Sequence, residues 1–262
     1  LGGGAPIIVS RTSDPNTATT ITQEGGEIGA FYGWVVDGLF QSEDEIQRLN
    51  DASPTGVFQT PGTAPGDIRY QDLNGDGTIN ADDRQVIGSP FPDFFYGING
   101  EVGFKGFDLS IFFQGTQGND VYNLVKAGIQ ELQGDNNVMA VGTNRWTPTN
   151  TDTDIPRAIR GDPNDNTRPS TRFIEDGSFF RLNNLTIGYS LPGTVLSRLN
   201  ISRLRFYVTG QNLFTLTNYT NYNPDIGVPT GPGDDQRTLF RGVDFGTYPL
   251  ATTILGGIQL QF

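Results

Sequence analysis

Asp72-Leu-Asn74-Gly-Asp76-Gly77-Thr78-Ile79-Asn80-Ala-Asp82-Asp83 is the run in this 262-residue chain whose residue types and spacing best suit a defined chemistry. It follows the twelve-residue calcium-loop pattern D-x-N-x-D-G-x-I-x-x-x-D. A hard divalent cation takes six to eight oxygens, and alternate residues of a tightly curled loop point theirs inward. Asp72, Asn74 and Asp76 would supply side-chain oxygens, Thr78 a backbone carbonyl, Asn80 a direct or water-mediated contact, and Asp83 the closing carboxylate. Gly77 permits the sharp turn and Ile79 anchors the loop. Position twelve is Asp83, where sensor-type loops use the longer Glu, so the expectation is a modest structural Ca2+ site. The competing reading is a polar turn rich in Asp, Asn and Gly.

Other chemistry is largely closed. The chain has no Cys and no His, which removes disulfides, thiolate sites, imidazole bases and Ser-His triads. Glu175-Asp176 and Asp82-Asp83 resemble glycosidase carboxylate pairs, but adjacency does not set the separation that chemistry needs across a sugar. Gly97, Gly100 and Gly103 lie inside a strand pattern and form no phosphate loop. An enzyme is therefore not expected. Trp146, Tyr219 and Tyr222 are candidate substrate-stacking residues, or equally residues that pack loops together. The sequons at Asn184, Asn200 and Asn218 read as incidental. A net charge of -12 argues against nucleic acid as a partner.

The elements that would carry the loop show a period of two. From Tyr248 to Phe262, the residues Tyr248, Leu250, Ile254, Ile258, Leu260 and Phe262 share one face, while Thr253, Gln259 and Gln261 share the other. The stretch is long for a soluble sheet and suits a tilted strand crossing an outer membrane. Its terminal Phe262 matches the aromatic assembly signal of bacterial outer-membrane barrels. Phe94–Phe104, Phe107–Gly115, Phe179–Leu191, Arg203–Phe214 and, less cleanly, Ile28–Phe40 alternate in the same way. Lys105-Gly106 reads as a tight hairpin turn. Asp120 to Leu132 reads as a short amphipathic helix capped by Asn119 or Asp120. No apolar run approaches the roughly 20 residues of a helical span.

The connections alternate in length. Gln41–Asp93, Thr116–Ser178 and Thr215–Gly246 are long, whereas the hairpin turn and Pro192–Ser202 are short. With a periplasmic carboxy-terminus all three long connections fall outside, as in an outer-membrane barrel. The expected fold is all-β: about six C-terminal antiparallel strands of a large transmembrane barrel with long extracellular loops. Residues 1–27 are assigned to an upstream loop or strand and 28–262 to the barrel segment. Leu1 is not a natural start residue, so the sequence reads as starting internally.

The chain resembles the carboxy-terminal part of SusC/RagA-type TonB-dependent outer-membrane transporters of the Bacteroidota. Six stretches in the family's order carry the resemblance. They are IGAFYGWVVDGLFQ (28–41), PGDIRYQDLNGDGTINADDRQVIGSPFPDFFYGING (65–100), NRWTP (144–148), DGSFFRLNNLTIGYSLP (176–192), RFYVTGQNLFTLTNY (205–219) and the closing 248–262 strand. The resemblance implies a barrel of about 22 strands with a plugged lumen. It also implies import of oligosaccharides or peptides together with a SusD-like surface lipoprotein, powered through the plug by TonB. The partners would then be the remainder of the same barrel and its plug, that lipoprotein, TonB and outer-membrane lipid. The alternatives are a calcium-stabilised carbohydrate-binding β-protein and a small outer-membrane adhesin barrel.

Overall fold

Five of the segments with period-two patterning form one antiparallel sheet. The computed structural model describes residues 5–10, 18–130, 132, 140–197, 201–227 and 235–262. In chain order the first strands are β1 (Ile7–Ser10), β2 (Ala18–Thr22), β3 (Ala30–Gly33), β4 (Val36–Leu39), β5 (Ile68–Tyr70) and β6 (Gln85–Gly88). Then come β7 (Phe94–Phe104), β8 (Phe107–Gln117), β9 (Asp120–Asn123), β10 (Ile174–Asp176), β11 (Phe179–Ser190), β12 (Arg203–Thr217), β13 (Val243–Asp244) and β14 (Thr253–Gln261). The helices are α1 (Glu43–Ala52), α2 (Leu124–Ile129) and α3 (Gly193–Leu196).

These elements divide into two compact units. The first comprises Leu1–Pro90, Asp120–Glu175 and Ile226–Gly246; the second comprises Phe91–Asn119, Asp176–Asp225 and Thr247–Phe262. The second unit is the five-stranded sheet, in the order β14-β12-β11-β8-β7. Lys105 and Gly106 both adopt positive φ (48° and 89°), closing the β7–β8 hairpin between the paired Phe104 and Phe107. Ladder register then puts Ile98, Val102, Leu109, Ile111, Ile187, Phe206, Val208 and Ile258 on one face. Asn99, Glu101, Asp108, Ser110, Thr186, Arg205, Thr209 and Gln259 share the other. Much of the apolar face is open, with Val102 65% and Ile258 62% exposed. A contiguous apolar surface of this extent belongs against lipid or further protein.

Glycines let large side chains lie flat along this wall. A Cβ at Gly115 would stand 2.6 Å from the Tyr96 ring, and one at Gly188 2.6 Å from both Arg205 Nε and Asp108 Oδ1. The space over Gly188 admits a cross-strand pair in which Arg205 Nε donates to Asp108 Oδ1 at 2.9 Å. β14 is shorter than the alternation suggests. Its ladder to β12 ends at Gln211↔Thr253, where a bulge puts Asn212 at φ 51°. Beyond that point Thr252 Oγ1 donates to the Asn212 carbonyl at 2.9 Å, a side-chain bond replacing the backbone ladder.

Ile28–Phe40 does not join the five-stranded sheet, so the sheet has five strands rather than six. The segment splits into β3, in the sheet β1-β2-β3-β6, and β4, paired with β5. Both faces of this stretch are apolar, and a protein core satisfies both. Phe31 is fully buried in one hydrophobic cluster with Tyr122 and Phe173, and Trp34 and Phe40 are buried in another. Because β1 and β2 pair with each other and β2 with β3, the expected boundary at residue 28 runs through a sheet. The 120–132 segment also differs. Asp120–Asn123 is a strand, parallel to β13 and burying Val121 and Tyr122. The helix begins only at Leu124, capped by Asn123, whose side chain accepts the Lys126 N–H at 2.8 Å.

The long connections carry their own core in the first unit. Phe40, Ile46, Phe58, Ile68, Tyr70, Ile79 and Trp146 pack around Trp34. Helix α1 adds Ile46 and opens with Ser42, whose hydroxyl accepts the Glu45 N–H, and with three acidic residues that suit the helix amino-terminus. A buried polar lattice ties residues about a hundred positions apart. The fully buried Asp67 accepts two bonds from Arg157, at 2.8 and 2.9 Å, and one from Asn166 Nδ2 at 3.0 Å. Asn164, also fully buried, accepts from Gln59 Nε2 at 2.6 Å and donates to the Ile68 carbonyl at 3.0 Å.

Two outcomes are expected. In the full-length protein extracted in detergent, Asp67→Ala strands the Arg157 guanidinium and the Asn166 amide and costs about 3 kcal/mol. Limited proteolysis should then cut within 140–170 at protease levels that the wild type withstands, and an unchanged digest would refute the role given to Asp67. Gly115→Val drives a side chain against the Phe179 carbonyl and the Tyr96 ring, at an overpacking cost of about 1–3 kcal/mol. It should lower the temperature at which the folded, fast-migrating gel band is lost, whereas Gly128→Ala, with open space at its Cβ, should not.

Candidate functional site

The Asp72–Asp83 loop is held from below by the first unit's core. Ile79 is buried, its N–H donates to the Phe58 carbonyl at 2.6 Å, and Trp34 Nε1 donates to the Asn80 carbonyl at 2.8 Å. Two guanidinium groups lie over the Trp34 ring, Arg84 at 5.3 Å and Arg168 at 5.1 Å from its centre. Arg168 also lies 4.6 Å from the Tyr70 ring. Burial pushes the Tyr70 phenol above its ordinary pKa, against the opposing pull of the Arg168 cation. The loop is thus mounted on a rigid aromatic base.

Within the loop, side-chain oxygens cap successive backbone N–H groups. Asp72 Oδ1 and Oδ2 accept from Gly75 and Gly77, Asn74 Oδ1 from Asp76, and Asp76 Oδ1 from Thr78, each at 2.8 Å. Gly75 and Gly77 both have positive φ (74° and 80°), which gives the curl. Asp83 is fully buried and turns both oxygens to backbone, accepting from Leu73 at 2.9 Å and from Asn80 at 2.7 Å. The sequence-expected ligands are therefore brought onto one loop but not onto one point. Among the described residues no group of three or more acidic side chains is gathered to hold a metal. Four of the six do converge. Asn74 Nδ2 and Asn80 Nδ2 lie 3.0 and 3.4 Å from Asp76 Oδ2, and Asn80 Nδ2 lies 3.3 Å from the Thr78 carbonyl. The amide donors there fill the role a cation would take, and the surrounding atoms are the hard oxygens that calcium prefers.

The aromatic candidates separate. Trp146 is buried in the first unit's core, with Nε1 donating to Gln41 Oε1 at 3.0 Å. Tyr219 is buried as well, whereas Tyr222 is 73% exposed. Two of the three are packing residues, and Tyr222 alone presents a ring to solvent. Phe262 is 87% exposed and follows β14 directly, on the apolar face.

A site that the sequence reading missed lies in the first unit. A cavity of about 580 Å³ is lined by Leu39, Ile68, Asp152, Thr153, Thr171 and Arg172, among others. Arg172 donates to the Asp154 carbonyl at 2.5 Å and to Gln130 Oε1 at 3.4 Å. Burial lowers its pKa from the ordinary arginine value, with Asp154 and Tyr70 acting the other way. Asp152, Thr153, Thr171 and Arg172 form no motif in sequence, so no pattern announced the cavity. It offers a cation, carboxylates and hydroxyls beside apolar wall, a lining suited to a polar solute.

Comparison with known proteins places this architecture. No family model matches the chain. It is 36% identical over 248 residues to TonB-dependent receptor P3 of Formosa agariphila, which aligns with 93% of this chain and of which the alignment covers 23%. It is 27% identical over 202 residues to TonB-dependent receptor SusC of Bacteroides thetaiotaomicron, with 76% of this chain and 18% of SusC aligned. Among solved structures it is similar to that of the RagAB peptide transporter, with a TM-score of 0.73 at 22% identity, over 100% of this chain and 25% of that one. The RagAB peptide importer in its closed-closed state gives 0.69 at 23% identity. The chain thus spans about a quarter of the length of the relatives it matches, and its open five-stranded sheet has the fold of a barrel wall segment. Over most of its length the chain is thus similar to a part of TonB-dependent receptors, SusC among them.

Proposed function

We propose that this chain forms part of the wall and outer connections of an outer-membrane importer. The importer takes up oligosaccharides or peptides with a SusD-like surface lipoprotein, and TonB drives it through a plug in the barrel lumen. The observation that carries the reading is the two-faced sheet. Its open apolar face suits lipid, and its polar face, with Glu101, Asp108 and Arg205, suits a wet lumen. The short Lys105-Gly106 turn and the 191–202 connection leave one end of the sheet, while 118–178 and 218–252 leave the other. The carboxy-terminus is therefore assigned to the periplasm and the first unit to the outside. A water-soluble binding module fits poorly with the exposed apolar face, and a complete small barrel fits poorly with an open sheet. The chain itself performs no enzymatic step in this reading.

The Asp72–Asp83 loop is assigned a structural calcium ion held by Asp72, Asn74, Asp76, Thr78, Asn80 and Asp83. The supporting observation is the convergence of the Asn74 and Asn80 amides on Asp76 and on the Thr78 carbonyl. Occupation requires the two amides to turn away so that oxygens face the ion.

Cells producing the full receptor should take up labelled peptides or oligosaccharides, and uptake should stop on deletion of the gene and on collapse of the proton gradient. Uptake that survives that collapse would refute the TonB-driven reading. A SusD-like lipoprotein should co-purify with the receptor in mild detergent. For the loop, chelation should remove about 1–3 kcal/mol of stability from the detergent-extracted receptor, restored by calcium and not by magnesium. Asp76→Ala should abolish that response, and identical melting with and without calcium would dispose of the site.

A further inference from the structure

At the end of the five-stranded sheet from which the long connections leave, the apolar face meets a polar rim around a cavity of about 290 Å³. The floor is a single cross-strand row. Tyr96 stands opposite Gly115, Gly115 opposite Phe180, and Phe180 opposite Leu216. The missing side chain at Gly115 makes room for the Tyr96 ring, and Tyr96 and Phe113 stack with Phe180 at 6.3 and 5.0 Å between ring centres. Leu216 is 61% exposed.

One row further out the lining turns polar, with Gln117, Asp176, Ser178 and Asn218. Gln117 Nε2 donates to Ser178 Oγ at 3.2 Å, and the Ser178 N–H donates to Asp176 Oδ1 at 2.8 Å. The Asn218 amide lies 3.5 Å from Asp176 Oδ2. Burial works against the Asp176 charge, but bonds from Ser178 and Asn218 outweigh it and hold the carboxyl below the usual carboxylate range. The cavity is therefore apolar where it continues the lipid-facing surface, and polar with one carboxylate and two amides where it faces away.

We propose that this cavity binds the saccharide headgroup of an uncharged glycolipid of the outer leaflet. The sugar ring lies against Tyr96 and Phe180, its hydroxyls bond to Asp176, Gln117 and Asn218, and the acyl chains run along the strands down the apolar face. The inference rests on the membrane orientation proposed above. The gradient from apolar floor to polar rim is that of an amphiphile lying along the wall. A carboxylate flanked by amides accepts from and donates to neighbouring hydroxyls, and an aromatic face covers the C–H side of a sugar. The same carboxylate repels a phosphate-bearing headgroup.

Native mass spectrometry of the full receptor, delipidated in detergent, tests this with monogalactosyldiacylglycerol, phosphatidylglycerol and free galactose as probes. The galactolipid should be retained about tenfold better than phosphatidylglycerol, with free galactose not retained. Asp176→Asn should bring the two lipids to parity, and Asn218→Leu should release the galactolipid. Equal retention of the two lipids by the wild type would overturn the proposal without reference to any variant. Retention of free galactose would do so as well, by making this a soluble-sugar site. Fractionation of the cells separates the two levels. A receptor absent from the outer membrane refutes the orientation and this inference together, whereas a receptor found there that ignores the galactolipid refutes this inference alone.

Discussion

A peptide group facing hydrocarbon has no water to bond with, and most of the second unit follows from that. Each N–H and C=O along its apolar face must find a partner in a neighbouring strand. Hence the strands are long, run antiparallel without interruption from β7 to β14, and hold register over as many as eleven consecutive positions in the β7–β8 pair. Where the ladder fails, at the Asn212 bulge, side chains take over the bonding, through Thr252 and Asn212. The outer edges of β7 and β14 have no neighbour among the described residues, and in lipid they need one. The sheet is a sector of a wall.

The first unit obeys a different constraint. Its backbone is irregular, so specificity comes from side chains that reach across the sequence. Asp67, Asn164 and Asn166 join segments about a hundred residues apart, and Trp34, with Arg84 and Arg168 over its ring, ties the calcium-like loop to the same base. Such a unit can hold the Asp72–Asp83 loop in a fixed shape without a continuous sheet. Long connections in a barrel are then not slack chain but a second folded body with its own core.

The period of two made four strands of the sheet legible almost residue by residue, because one face in lipid and one in water leaves a clean alternation. It misread Ile28–Phe40 for the same reason. A stretch buried on both faces also contains an alternating subset, and Phe31 and Val35 on the second face were the warning. Ser42 with Glu45 three residues later is a readable start for α1 within the long Gln41–Asp93 connection. Trp146 and Tyr219 carry no sign in sequence that they point inward. Nor does any local pattern link Asp67 to Arg157, or Arg172 to the Asp154 carbonyl, since their meeting depends on how the loops cross. The calcium-like loop was legible as a curl, which the structure has. Whether its oxygens close on an ion depends on amide orientation, which the sequence does not encode.

The two tryptophans of the chain, Trp34 and Trp146, both sit in the core of the first unit. The five-stranded sheet contains none, its aromatic residues being Phe and Tyr. Indole fluorescence from this chain therefore reports the first unit and is blind to the five-stranded sheet. Trp34, with two guanidinium groups over its ring and its Nε1 bonded to the Asn80 carbonyl, is an optical reporter placed by the fold against the Asp72–Asp83 loop.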